Sequence, residues 1–189
     1  SDNSYKIVTY VNGFGNLSDT VLLDSFIIED AYRIPPEAGS GGGIDLYNGT
    51  MILRDCVIRN NFTYLGGALH CFDSVLTMVN CEIYGNTGAY IGGAGYLGRS
   101  DISLINGLIH GNTSGLGGGG FTVTDSTLDI YNTTIADNSA TSGAGGISFS
   151  DTTATITNSI FWGNGTEISE SGSTSLTVSH SIVEGGYTG

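Results

Sequence analysis

Arg59, Tyr84, His110 and Trp162 are the residues of this chain best suited to hold another molecule, and they fall at one interval. The first three are 25 and 26 residues apart. Trp162 lies 52 residues beyond His110, so a repeat of this length sets all four in one row, with Ala136 between the last two. Aromatic rings on a flat strand surface can stack against sugar rings, and guanidinium and imidazole groups can bond to hydroxyls. The same interval makes a second row of Asp45, His70, Tyr96, Thr122 and Ser148, and a third of Arg54, Val79, Ile105 and Tyr131. A glycan- or partner-binding face is one reading of these rows. The other is that aromatic and β-branched residues suit exposed strands with no ligand at all.

Catalytic groups are harder to assemble. A polysaccharide lyase needs clustered carboxylates for calcium with a basic residue beside them, and a glycoside hydrolase needs two carboxylates at a set separation. Asp45 and Asp129 belong to different repeats, without evident partners. Asp101, Asp125 and Asp151 fall at a turn without a base, and Arg54 and Arg59 share a repeat with only Asp55 and Glu82 nearby. No catalytic residue is assigned. The turn acids Asp73, Asp125 and Asp151, interrupted by Arg99, would stack as like charges, which repel. Calcium would relieve that repulsion, but the nonapeptide calcium-binding repeat is absent, so solvated turn carboxylates are the simpler reading and no cofactor or metal site is expected.

The three cysteines lack the spacing of a zinc site. Cys56 and Cys81 occupy equivalent repeat positions, where a disulfide between in-register parallel strands would need an unfavourable torsion. With Cys71 they read as small buried side chains. The hydroxyl pairs Thr155 and Thr157, then Thr177 and Ser179, are too few for an ice-binding array, because the same rows carry Ile52, Ile105, Asp129 and Tyr131. Asn-x-Ser/Thr triplets begin at Asn16, Asn48, Asn61, Asn112, Asn132 and Asn164, and Asp19, Asp73, Asp125 and Asp151 open triplets resembling an O-glycosylation signal of secreted bacterial proteins.

A recurring cassette must position these rows: an Ile-rich strand ending in Asn, a variable loop, then a Gly-Gly pair leading into a new strand. Asp55, Asn80, Asn106, Asn132 and Asn158 mark its first corner, 25, 26, 26 and 26 residues apart. Units of this length bury their apolar side by stacking on one another, which is the pattern of a solenoid. Alternation assigns the inward residues. Met51, Leu76, Ile102, Leu128, Ala154 and Leu176 make one column, and Leu53, Met78, Leu104, Ile130, Ile156 and Val178 the next. Ile58, Ile83, Ile109, Ile135, Phe161 and Val183 follow, and then Ile44, Leu69, Phe121 and Ile147 with Leu46, Cys71, Leu97, Val123 and Phe149.

In the first repeat a shift of one residue points Val21, Leu23, Phe26 and Ile28 inward and puts Ser25 at the corner. Asn61, Asn86, Asn112, Asn138 and Asn164 form a structural ladder at the second corner, where Asn tolerates left-handed backbone and its amide can bond its counterpart one turn away. The pairs Gly66-Gly67, Gly92-Gly93 and Gly118-Gly119 serve a bend where a Cβ would clash. The expectation is an all-β, right-handed parallel β-helix with three short strands per coil and about six to seven coils. It occupies residues 1–189 as one domain. Residues 1–20 read as an irregular first turn, Arg33–Ser40 as a longer insertion, and the two ends as cut from repetitive sequence, either a fragment or a processed part of something longer.

Composition narrows the partners. Eighteen acids against five bases give a formal charge of −13, and only 12% of residues are charged. Lys6, Arg33, Arg54, Arg59 and Arg99 could not neutralise a run of phosphates or favour an anionic membrane, so nucleic acid and membrane insertion are excluded. Thirty-one glycines against two prolines exclude a helical protein. No apolar run is long enough to span a bilayer.

Gly66-Gly67-Ala68-Leu69 and Phe161-Trp162-Gly163-Asn164 resemble the paired GGA(I/L/V) and FxxN motifs of polymorphic outer-membrane-protein repeats. Ile58–Asn61, Ile83–Asn86, Ile109–Asn112 and Ile135–Asn138 are variants with Ile for Phe, and the resemblance runs over about residues 20–189. It implies a secreted or surface-exposed bacterial β-helix passenger of adhesive or structural kind. The expected function is that of a non-catalytic extracellular structural or adhesive solenoid, a homo-oligomer whose copies stack end to end into filaments. The alternatives are a glycan-binding module or a pectate-lyase-like enzyme degrading polysaccharide.

Overall fold

Each repeat lays its strands flat against the same strands of the repeats before and after it. The computed structural model describes residues 8–11, 20–33 and 40–187. Among the described residues every strand pairing is parallel, and the strands sort into three seven-stranded sheets and one of four. Sheet 1 contains Val8–Val11, Ile44–Tyr47, Leu69–Phe72, Gly95–Gly98, Phe121–Thr124, Ile147–Ser150 and Ile168–Ser171. Sheet 2 runs from Thr20–Asp24 through Thr50–Arg54, Val75–Val79, Asp101–Ile105, Thr127–Tyr131 and Thr153–Thr157 to Ser175–Ser179. Sheet 3 is built of Ile27–Glu29, Val57–Arg59, Glu82–Tyr84, Leu108–His110, Thr134–Ala136, Ile160–Trp162 and Ile182–Val183.

The fourth sheet corrects the expectation of three strands per coil. Phe62–Leu65, Thr87–Ile91, Thr113–Leu116 and Ser139–Ser142 pair in the segment read as a variable loop. The inward column there is small or polar, Thr63, Gly88, Ser114 and Ala140, which hides the period-2 pattern, and the register slips between Gly88 and Ile91.

The core is a set of columns. Leu53, Met78, Leu104, Ile130 and Ile156 are register partners in succession and are all buried. Ile58, Ile83, Ile109, Ile135 and Phe161 form another such column. Burying each large side chain contributes about 1.5–3 kcal/mol, so the stacking itself holds the repeats together. Gly95 takes the place in its column held by Leu69 and Phe121, and a Cβ there would meet the Leu69 side chain at 2.8 Å.

The one-residue shift in the first repeat is present: Val21 pairs with Met51 and Leu23 with Leu53, and Ser25 takes the corner with φ 61°. Ile28 is buried, but Phe26 is 53% exposed rather than inward. Later repeats put Cys56, Cys81, Gly107, Thr133 and Ser159 at that place, and a phenyl ring exceeds the corner's room. Within residues 1–20, Val8–Val11 pairs in register with Ile44–Tyr47. Residues 1–7, 12–19 and 34–39, which hold most of the expected irregular turn and the Pro-Pro insertion, lie outside the described residues.

The corners carry four hydrogen-bonded ladders, one of them the exposed run Asp55–Asn80–Asn106–Asn132 at the first corner. At the second corner the left-handed residues are Asn60, Gly85, Gly111, Asp137 and Gly163, each one position before the ladder Asn. The ladder asparagines therefore do not take up left-handed backbone, contrary to expectation. They turn inward and are at most 5% exposed. Asn86 donates its backbone N–H and its Nδ2 to Asn112 Oδ1, both at 3.0 Å, and Asn112 does the same to Asn138. Hydroxyls do this work elsewhere: Ser74 and Ser100 N–H groups donate to Ser100 and Ser126 Oγ, and Thr133 N–H to Ser159 Oγ. The Gly-Gly bend behaves as expected, since a Cβ on Gly93 would lie 2.1 Å from the Gly119 carbonyl oxygen.

Candidate functional site

Sheet 3 presents the Arg59 row on its outer surface. Arg59, Tyr84, His110, Ala136 and Trp162 are register partners strand by strand, so the structure brings all the expected site residues together. Glu29 begins the column: it accepts from Arg59 Nε at 2.6 Å, while Arg59 Nη1 donates to the Tyr84 hydroxyl at 2.8 Å. The bonds to Tyr84 and Glu29 raise the guanidinium's pKa. The Tyr84 and His110 rings stack with centroids 5.0 Å apart, and Glu82 holds His110 Nε2 at 3.0 Å. Trp162 stands 53% exposed beyond the small side chain of Ala136. A parallel column on the same face holds Leu108 and Ile160, both exposed, with Thr134 between them.

The Asp45 row also stacks, but most of it is covered, with Tyr96 and Ser148 half-buried. Asp45, His70 and Thr122 are buried, because the chain at the glycine bend folds back over this sheet. Ser40 Oγ donates to Asp45, and Gly118 N–H donates to Thr122 Oγ1 at 2.8 Å. Asp45 and His70 are 2.9 Å apart under that cover, with His70 also stacked on Phe72. In the third row, Arg54, Val79, Ile105 and Tyr131 are aligned, and Tyr131 is exposed.

The arginines find partners that were not expected. Arg54 pairs with Asp24 at 3.4 Å and Arg59 with Glu29, each one coil back, instead of Asp55 or Glu82. Arg99 grips Asp73 through Nε at 2.8 Å and Nη2 at 2.5 Å, and lies over the Phe72 ring. This pairing holds the Asp73 carboxyl below its usual pKa and the guanidinium above. These groups border an open groove of about 840 Å³, which Asp101, Asp125 and Asp151 also line. Asp101 accepts from Thr127 Oγ1 at 2.6 Å, and Asp151 from Ser173 N–H at 2.8 Å. Among the described residues no group of three or more His, Cys, Asp or Glu side chains is placed to hold a metal ion.

Cys56, Cys71 and Cys81 are free and buried. Cys56 and Cys81 sit where later coils place corner hydroxyls, with Sγ near main-chain carbonyl oxygens such as Arg54 O at 3.2 Å and Val79 O at 3.4 Å. Burial pushes the Cys71 thiol up to about 12 and Cys81 up to about 11. Three of the glycosylation triplets begin at ladder residues, Asn61, Asn112 and Asn164, whose buried amides are bonded; Asn132 is exposed, and Asn16 lies outside the described residues.

Sequence reasoning missed Glu167. Its carboxylate accepts from Asn164 N–H at 3.1 Å and from Asn164 Nδ2, closing the amide ladder where the next Asn would stand. Burial, with Glu184 nearby, raises its pKa. Glu167 follows Asn164 by three residues, off the 26-residue interval, so periodicity carried no signal for it.

A family model described as right handed beta helix region matches residues 9–185. The chain belongs to that right-handed β-helix family. The match agrees with the parallel sheets and stacked core, and it leaves the narrower outer-membrane-protein repeat type as a resemblance. No curated protein and no solved structure matches this β-helix.

Proposed function

We propose that this β-helix is a non-catalytic structural and adhesive element, secreted or displayed at a cell surface. One observation carries the reading: the described charged side chains pair from coil to coil, and the arginine that borders the open groove is itself taken up by Asp73. The ion pairs Glu29–Arg59, Asp24–Arg54 and Asp73–Arg99 and the carboxylate–imidazole hydrogen bonds Asp45–His70 and Glu82–His110 each join side chains of adjacent coils. An acid–base catalyst needs a carboxylate or base free to meet a substrate proton. The bordering groove's one arginine is already held by Asp73. The sparsity of charged residues and the continuous column of stacked residues suit a stiff spacer that presents its outer sheets.

The test is to incubate the full chain with a broad panel of neutral and acidic polysaccharides, with and without calcium. The reading expects no unsaturated or reducing ends above background; their release would overturn it. A filament of copies stacked along the solenoid axis is the self-assembling form of the same proposal. Electron micrographs at high protein concentration test it, and compact monomers alone would remove that form.

A further inference from the structure

Sheet 3 is not uniformly flat. Along Thr134–Ala136 the outward side chains are small, while the strands on both sides carry large ones: Leu108 and His110 on one, Ile160 and Trp162 on the other. The result is a shallow transverse groove one strand wide. Its walls stand two strand spacings apart, roughly 9–10 Å. Van der Waals contact with both walls takes up about 7–8 Å of this, which leaves room for a puckered ring and its axial hydrogens and more than a flat ring needs. One wall is firm, because His110 is fixed by its stack on Tyr84 and its bond to Glu82.

Asp137 closes one end of the groove. It has left-handed backbone, and its counterparts one coil either way are Gly111 and Gly163, so nothing crowds it laterally. Its carboxylate leans over Gly163, next to Trp162: a Cβ built there would lie 2.5 Å from Asp137 Oδ1. Among the described residues neither this carboxylate nor the Thr134 hydroxyl has a side-chain partner. Glu82 is already bonded to His110 Nε2 at 3.0 Å, leaving Asp137 as an acceptor on a chain of net charge −13. That field repels anions and complements a neutral ligand rich in hydroxyl donors.

We propose that the Thr134–Ala136 groove binds a neutral saccharide, with one pyranose ring seated between His110 and Trp162 and a hydroxyl donating to Asp137. This names the adhesive ligand class of the structural reading, but its test is separate from the test for bond cleavage. Trp162 is the only tryptophan in the chain, so emission excited at the red edge, where the ten tyrosines do not absorb, reports on this groove. The full chain is titrated with maltohexaose, cellohexaose and mannohexaose, and with an oligogalacturonide as the acidic contrast.

A saturable change in emission is expected with at least one neutral hexaose, stronger than with the acidic one. Ala136→Tyr, which fills the groove floor from the outer face, should weaken binding about tenfold or more. Asp137→Asn should weaken it roughly threefold to tenfold. Both variants should retain the wild-type circular dichroism spectrum. No response to any neutral hexaose, an equal response in Ala136→Tyr, or preference for the acidic sugar would overturn the proposal. Such a failure with no cleavage products would leave the structural reading standing.

Discussion

Replacing Asn112 by Ala tests whether the buried amide ladder holds the coils in register. The Asn112 side chain is fully buried. Its Oδ1 accepts from Asn86 N–H and Nδ2, each at 3.0 Å, and its Nδ2 donates to Ile83 O at 2.9 Å, His110 O at 3.1 Å and Asn138 Oδ1 at 2.9 Å. Truncation leaves the Asn86 N–H orphaned in the interior, which alone costs about 1–3 kcal/mol. The four remaining lost bonds add about 0.5–1.5 kcal/mol each, for a total of about 3–9 kcal/mol. Asn106→Gly is the control. Asn106 belongs to the exposed ladder, donating to Asn80 Oδ1 at 3.1 Å, and its φ of 54° suits glycine. That change should stay within about 1 kcal/mol. Urea unfolding followed by circular dichroism gives both values. An Asn112→Ala variant within about 1 kcal/mol of wild type, or a control equally damaged, would refute the argument that burial gives this ladder its strength.

Three further outcomes follow from the same geometry. Gly93→Ala should prevent soluble folding or cost more than about 4 kcal/mol, because the Cβ strikes the Gly119 carbonyl, whereas Gly111→Ala, with open space around it but φ 60°, should cost only about 1–2 kcal/mol; thermal melts of the two variants decide this. Glu167 binds its proton more tightly folded than unfolded, so its contribution is complete below the ordinary glutamate value of 4.5 and is lost as pH rises through the raised folded value. Stability measured against pH should decline over that window in wild type and less so in Glu167→Gln, and identical profiles would contradict the assignment. The thiols of Cys71 and Cys81, buried and pushed to about 12 and about 11, should react with an aromatic disulfide reagent at least tenfold more slowly in native protein than in urea. Equal rates would place them at the surface.

The columns were legible from sequence because a solenoid repeats one local problem. Leu53, Met78, Leu104, Ile130 and Ile156 must all face inward if any one does, and alternation within each strand then sets the outer rows, including Arg59 to Trp162. The Gly-Gly bends were legible for the same reason, since a clash with the neighbouring coil recurs at every turn. What one coil lays over another was not. Asp45 and His70 alternate outward like Arg59 and Tyr84, yet the returning chain at the glycine bend covers them, and only the three-dimensional path of that bend decides it. Phe26 obeys the period and still stands in solvent, because the corner it occupies fits a Cys or Thr side chain. Glu167 closes a ladder from outside the repeat interval, and the groove at Thr134–Ala136 exists only because the coils before and after it carry larger side chains. Period and polarity act within one turn of chain and can be read along it. Cover, closure and shape depend on contacts between turns, which the fold alone supplies.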